Sequence, residues 1–522
     1  MKKIFFSFFS LLPFWGNAQY LFEAAFGKIG ATSQSYAVIP VTNGYLLAGM
    51  STIPALGNGD MHLLKIGISG NNVWTRGFGG TNYEEAQDVI RTSNGGFALI
   101  GTTLTYGNGT NSIFLVRTDS FGNSQWKYTY GGVNYSTGKK IIQTADGGYL
   151  ICGTVNETFG LGNYDIWLIK TDSVGVMQWN KTYGDTGADV GYDLILVNGG
   201  YVVAGTVSYG AAYDMFMMKV DTGGNPLWSR TFGGNGWDIA YGVVQMQDGG
   251  FALGGYTDSY GAGNRDIYLV RTDTAGNMIW NKTYGTNTKD ECRSIKRTPD
   301  GGLILAGESY SFGSFADAEA MLLKTDSLGN YQWVRSYGGT SDDFAYDLAI
   351  TNDGGFIFTG ETYSFGPGPT NLFVVKTDSN GYTPCNSLVQ FVLSDSGGVQ
   401  GSGVLTTNGG GSRSTGGQMS TLSTTGFLLC SNLAVSDNFS QNTGPFFFPN
   451  PFSSETNLKN FKNCELLEIF DLSGKMVGSF SLSGSGFTLK SRGLAPGAYL
   501  YFISEKNNLQ VTSGKLIVVP EY

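Results

Sequence analysis

The chain holds one histidine, His62, so no site needing two imidazoles can be assembled, and His-based triads and most zinc sites fall away. The residues that could do chemistry are carboxylates and aromatics at fixed spacing. One acid series is Asp60, Asp165, Asp214, Asp266 and Glu319; a second, ten residues after successive tryptophans, is Glu84, Asp189, Asp238, Asp290 and Asp343. Two such carboxylates brought close enough could serve as the acid and base of a glycosidase. An aromatic series, Tyr106, Phe159, Tyr209, Tyr260, Phe312 and Phe365, precedes glycine in each copy, and with Trp237 it forms the candidate binding set. Residues repeated this regularly more often serve turn formation and packing in every repeat. Binding is then expected from positions that break the pattern, such as Trp237, Arg265, Lys289, Asn134 and Tyr135. His62 reads as a strand residue. No Cys–His or Ser–His–Asp set stands out, and Gly409-Gly410-Gly411 follows no strand-to-helix pattern that would cradle phosphate.

The elements that position these residues come from a repeat. Trp74, Trp126, Trp179, Trp228, Trp280 and Trp333 recur at intervals of 49 to 53 residues. Each follows a turn such as Asp119-Ser120-Phe121-Gly122-Asn123 and precedes an aromatic-glycine pair such as Tyr130-Gly131. A second turn, Asp146-Gly147-Gly148 and its equivalents, comes about twenty residues after each Trp. Two hairpin turns per unit imply four short antiparallel strands, the unit of a propeller blade. The second- and third-strand signals occur seven times and the Trp strand six. Phe22, 52 residues before Trp74 and followed by Phe26-Gly27, supplies the missing fourth strand. The expectation is an all-β, seven-bladed propeller over residues 19–385, closed by its N-terminal strand, with Phe22 and the six tryptophans as structural repeat residues. Closure in this way removes the exposed edges of an open array.

Composition and charge agree. The 522 residues include 79 glycines and 14% aromatics but only 14% charged residues, the balance of a turn-dense β protein. A formal charge of −9 lacks the basic footprint of nucleic-acid binders. Lys2 and Lys3, the apolar run Ile4 to Trp15 and Gly16-Asn17-Ala18 read as a signal peptide over residues 1–18. That run is too short to span a bilayer, and no later stretch is apolar enough to do so. Five cysteines are too few for a disulfide scaffold; Cys385 and Cys430 flank one segment and are candidates for a pair, while Cys152 and Cys292 read as buried thiols. No cofactor is called for, calcium in the acidic series being the one candidate.

The run Asp119-x-x-Gly122-x-x-x-Trp126 resembles the tryptophan-docking motif of pyrroloquinoline-quinone dehydrogenase propellers and, more loosely, the Asp-box of sialidases. The resemblance bears on fold alone; the Asp-to-Gly spacing here is one residue shorter than in the docking motif. Beyond Cys385, residues 386–444 are rich in Ser, Thr and Gly and read as a linker or small β appendage, with a flexible run at Asn408 to Gly417. Residues 445–522 carry Phe448-Pro449-Asn450-Pro451-Phe452, Leu467-Glu468-Ile469-Phe470-Asp471-Leu472-Ser473-Gly474-Lys475, Leu494-Ala495-Pro496-Gly497-Ala498-Tyr499 and Gly514-Lys515-Leu516-Ile517-Val518. In this order they resemble the type A C-terminal sorting domain of type IX secretion substrates. The resemblance implies a small β-sandwich, engagement with the type IX machinery, and delivery to the medium or the outer cell surface. The functional expectation is an exported, non-enzymatic binding module for a glycan or protein. An extracellular polysaccharide hydrolase or lyase using propeller carboxylates, and an architectural envelope component, are the alternatives.

Overall fold

The computed structural model describes residues 19–434 and 446–518, apart from 53–57, 109, 157–159, 161, 211, 312–316, 385–387, 391–392, 396–398, 402–404, 409–411, 416–417 and 421–424 in the first stretch. In the second stretch 449–454, 460–463, 472–475, 483–486, 491–493, 495–496 and 506–510 are likewise not described. Residues 1–18, the expected signal peptide, and Cys385 lie outside the described residues, as does the Cys430 side chain. The chain divides into two compact units, 1–435 and 436–522.

The first unit is a seven-bladed propeller. Blade 2 shows the pattern: Glu84–Arg91 lines the centre, followed outward by Phe97–Thr103, Ser112–Thr118 and Ser124–Gly131, all antiparallel. In blade 7 the outer strand comes from the N-terminus: Gln19–Gly27 pairs antiparallel with Asn371–Thr377, Phe22 opposite Lys376. The ring therefore closes with a strand from each end of the repeat.

Blade-to-blade packing explains the repeated turn. In the turn after the third strand, Asp119 accepts the backbone N–H groups of Phe121 and Asn123, both at 2.8 Å, which fixes an Asx turn. Gly122 then takes φ +79°, and a Cβ there would lie 2.8 Å from the Trp74 indole of the preceding blade. Only glycine offers both the left-handed backbone and the flat seat on which the indole rests. The same seat recurs round the ring, with Phe22 over Gly70 and Trp333 over Gly381 making the closing contacts. Between the sheets lie buried clusters shared by neighbours, such as Phe78, Leu99 and Phe114 between blades 1 and 2. His62 is fully buried in the third strand of blade 1.

Residues 388–434, within the segment read as a linker or small β appendage, carry a fifth strand to every blade. Leu388–Gln390 pairs with the outer strand of blade 6, Leu393–Asp395 with blade 5, Val399–Gly401 with blade 4 and Leu405–Asn408 with blade 3. Ser412–Thr415, inside the expected flexible run, pairs with blade 2, Gln418–Ser420 with blade 1 and Thr425–Ala434 with blade 7. The chain thus circles the disc against the order of the blades as a strap. Its last strand lies along Gln19–Gly27, so the closing strand is held on both edges, with Ala434 opposite Gln19.

The second unit has two antiparallel sheets. Phe446–Phe448, Glu455–Lys459 and Phe487–Lys490 form one; Met476–Ser481, Cys464–Asp471, Gly497–Glu505 and Val511–Val518 form the other. Leu458 and Leu489 from the first sheet share a core with Leu467, Ile469, Tyr501 and Ile503 from the second. This is the expected sandwich.

Candidate functional site

The innermost strands carry a shared irregularity. In all seven, the ladder to the second strand slips by one residue at the same place, for example between Gly191 and Asp193 and between Ala240 and Gly242. The extra residue of each bulge is Tyr36, Gln87, Lys139, Tyr192, Tyr241, Arg293 or Tyr346, and all seven line a central cavity of about 440 Å³. A bulge re-aims a side chain that strict alternation would send elsewhere. Here it sets one residue per blade around the axis.

The tyrosines meet in pairs. Tyr36 and Tyr346, from the first and last blades, stack with centroids 5.3 Å apart, and Tyr192 meets Tyr241 edge-on at 4.8 Å. Tyr36 Oη donates to Gln34 Oε1 at 2.6 Å, and Tyr346 Oη donates to Glu361, which Gln34 also reaches. These phenols therefore point toward the end where the innermost strands begin. Burial pushes the hydroxyls of Tyr36, Tyr192, Tyr241 and Tyr346 above the usual phenol range, so they stay protonated.

Below this ring the next residue of five of the bulges joins neighbouring blades. Asp88 accepts the backbone N–H of Ile141, Asp193 that of Val243 and Asp347 that of Val38, each at 2.9 or 3.0 Å. Lys140 sits 3.2 Å from Asp88 and 4.0 Å from Asp193, and Lys296 sits 3.6 Å from Asp347. Burial alone would lower the Lys140 ammonium, but the three aspartates hold it well above the ordinary lysine range. These residues tie the wall together.

At the rim, at six of the seven blade junctions, a residue near the start of the third strand bridges to one near the start of the next blade's first strand. Tyr213 meets Trp237 at 5.2 Å and Tyr135 meets Tyr164 at 5.5 Å, both edge-on, and Trp237 is 46% exposed. Arg265 bridges to Lys289 in the same way. With Arg293 they surround the buried Glu291: Lys289 lies 3.0 Å from it, and both arginines contact it. Arg293 also donates to Glu308 at 2.8 Å and stacks over Tyr241 at 4.5 Å, while Arg265 stacks over Tyr256 at 4.0 Å. The pattern-breaking residues Trp237, Tyr135, Arg265 and Lys289 thus share one rim.

The regular aromatics stand elsewhere. Tyr106 and Tyr260 donate through Oη to the carbonyls of Gly79 and Gly233, each at 2.7 Å, and lie against Phe114 and Tyr268. Phe365 lies against Phe373. All three are outside the channel lining. Phe159, Phe312 and the Tyr209 side chain fall outside the described residues. The two acid series meet between blades rather than on a face: Asp60 with Glu84, Asp266 with Asp290, and Asp343 with Glu319. Asp60, Glu84, Asp290 and Asp343 are fully buried, and the first pair flanks Gly79 of the aromatic-glycine motif. Burial, then the neighbouring charge, pushes Asp60 up to about 6. Among the described residues no three metal-ligating side chains come together, and a carboxylate pair supplies fewer oxygens than calcium takes.

Fold and tail together define an exported seven-bladed propeller. Residues 447–519 match the secretion system C-terminal sorting domain, the part that engages type IX secretion and directs the chain to the cell surface or beyond. No helix is long and apolar enough to cross a membrane among the described residues. The regulatory protein FlaEY of Caulobacter vibrioides is 25% identical over 151 residues; the aligned region spans 26% of this chain and 15% of FlaEY. An extracellular domain described as that of a hybrid two component system from B. thetaiotaomicron aligns at TM-score 0.36 and 10% identity, covering 96% of this chain and 59% of that one. PorZ, a surface component of the type-IX secretion system of Porphyromonas gingivalis, aligns at TM-score 0.23 and 9% identity over 95% of this chain and 100% of its own. An endo-1,5-alpha-L-arabinanase from Thermotoga petrophila gives TM-score 0.26 and 9% identity, covering 67% and 100%.

Proposed function

We propose that the mature chain is a non-enzymatic binding module, carried outside the cell by its sorting domain, whose ligand enters the central channel at the tyrosine ring. One observation carries this reading. The seat glycines and docking aromatics recur in every blade and the turn aspartate in six of seven, whereas the bulge residue that faces the axis differs: four tyrosines, a glutamine, a lysine and an arginine. Architecture needs sevenfold sameness; recognition needs asymmetry at a shared point. Burial of Asp189, Asp238 and Asp290 at 0% exposure supports the non-enzymatic reading, because a glycosidase carboxylate must reach its substrate.

The test is a glycan and surface-protein binding screen of the mature chain, repeated with Tyr192→Ala and Tyr346→Ala. Binding that falls at least tenfold in both variants supports the channel site. A hit indifferent to both places the ligand elsewhere. Turnover of a polysaccharide that is abolished by replacing Asp189 or Asp238 would instead establish the hydrolase.

A further inference from the structure

The channel mouth offers chemistry specific enough to name a ligand class. We propose that its ligand is an uncharged oligosaccharide, a reading that rests on the mouth being the binding site. The first support is the density of flat rings. Tyr192 and Tyr241 on the wall continue outward to Tyr213 and Trp237 on the rim, and Tyr36 with Tyr346 closes the opposite side. A pyranose presents C–H faces to such rings and hydroxyls to their polar edges, and Tyr and Trp supply both in one side chain.

The second support is what the charged groups already do. Arg265 is held by Asp258 at 2.9 Å, and Arg293 and Lys289 by Glu291 and Glu308. Lys140 and Lys296 are held by the wall aspartates. Glu85 accepts from Tyr83 Oη at 2.7 Å, and Glu361 from Tyr346 and Gln34. Because these charges are already paired with one another, a charged ligand of either sign would have to displace a partner already in place. Lys139 donates to Gln87 Oε1 at 3.2 Å and lies near the Glu85 carboxylate. Hydroxyl groups ask for donors and acceptors fixed in place without net charge, and paired carboxylates and guanidinium groups provide them.

The experiment uses the mature full chain, neutral tetra- to hexasaccharides of glucose, xylose, mannose and galactose, and uronate-containing oligosaccharides of matched length. Binding is followed by calorimetry and by Trp fluorescence. The expected result is affinity for one or more neutral oligosaccharides that changes less than threefold between low and high salt. Tyr241→Ala should lose on the order of tenfold or more, and Tyr241→Phe should restore most of it. Leu328→Ala, an exposed site in a turn between the outer strands of blade 6, controls for folding. Selective, salt-sensitive binding of uronates overturns the proposal. So does binding of a protein but no glycan with loss in Tyr241→Ala, which leaves the mouth standing as the site. Neutral-glycan binding unaffected by both Tyr241→Ala and Trp237→Ala overturns the mouth itself.

Discussion

Replacing Asp60 with asparagine should stabilise the propeller at pH 8 and leave it nearly unchanged at pH 4. Asp60 is fully buried, neither of its carboxylate oxygens accepts a hydrogen bond, and Glu84 stands beside it. Glu84 by contrast accepts from the N–H of Gly80 and the hydroxyl of Thr103, both at 2.8 Å. One proton per pair therefore sits most favourably on Asp60, whose pKa rises from 3.8 to about 6. A raised folded pKa gives stability that is complete below the unfolded value and lost as pH climbs through the folded one. Two pKa units at about 1.4 kcal/mol each set a ceiling of about 3 kcal/mol for this site. Turn aspartates such as Asp146, held down to about 2 by the Lys170 hydrogen bond, act in the opposite direction, so the measurement must be a difference between wild type and D60N. Denaturant unfolding of both proteins at pH 4, 6 and 8 should show the variant gaining about 1–3 kcal/mol by pH 8. An equal loss at every pH would mean that the ionised carboxylate is satisfied in the fold, and the shared-proton argument would fail.

Other outcomes follow from the ring and its strap. Gly122→Ala must hold alanine at φ +79° with its Cβ 2.8 Å from the Trp74 ring, so a loss of about 2–4 kcal/mol is expected in equilibrium unfolding; a loss below 0.5 would contradict the docking role. Phe22→Ala removes a fully buried ring at the closure and should cost about 3–5 kcal/mol, with protection of Gln19–Gly27 amides lost first in hydrogen exchange. Backbone amides of Leu405–Asn408 and Ser412–Thr415 should exchange at least about a hundredfold slower than an unstructured chain. Exchange within seconds would show that the strap does not pair.

The repeat was legible because its parts are local and serve every blade. The turn aspartate, the positive-φ glycine and the docking ring lie within eight residues, and Phe22 keeps the register that closes the circle. The strap escapes such reading because it contributes only three or four residues to most blades, at a spacing near six, in a composition that also suits a linker. The channel ring is hidden for another reason. Strict alternation along Val190–Val197 does not reveal that an extra residue is inserted at Tyr192, so its projection toward the axis appears only with the bulge. Regular aromatics such as Tyr106 attract attention on the rim, but their hydroxyls reach the neighbouring carbonyls of the fold. Trp237 and Lys289 are legible as departures from the repeat, and both stand in bridges at one rim.

On the proposed reading the ligand sits on the axis at the tyrosine ring. Hydrogen exchange of the mature chain, with and without a saturating oligosaccharide from the screen, tests it without altering any residue. Slowed exchange confined to Val190–Val197, Asp238–Gln245 and Asp343–Ile350 is the predicted result. Protection at the hairpin turns around Asp119 and Asp273, with those inner strands unchanged, would contradict it.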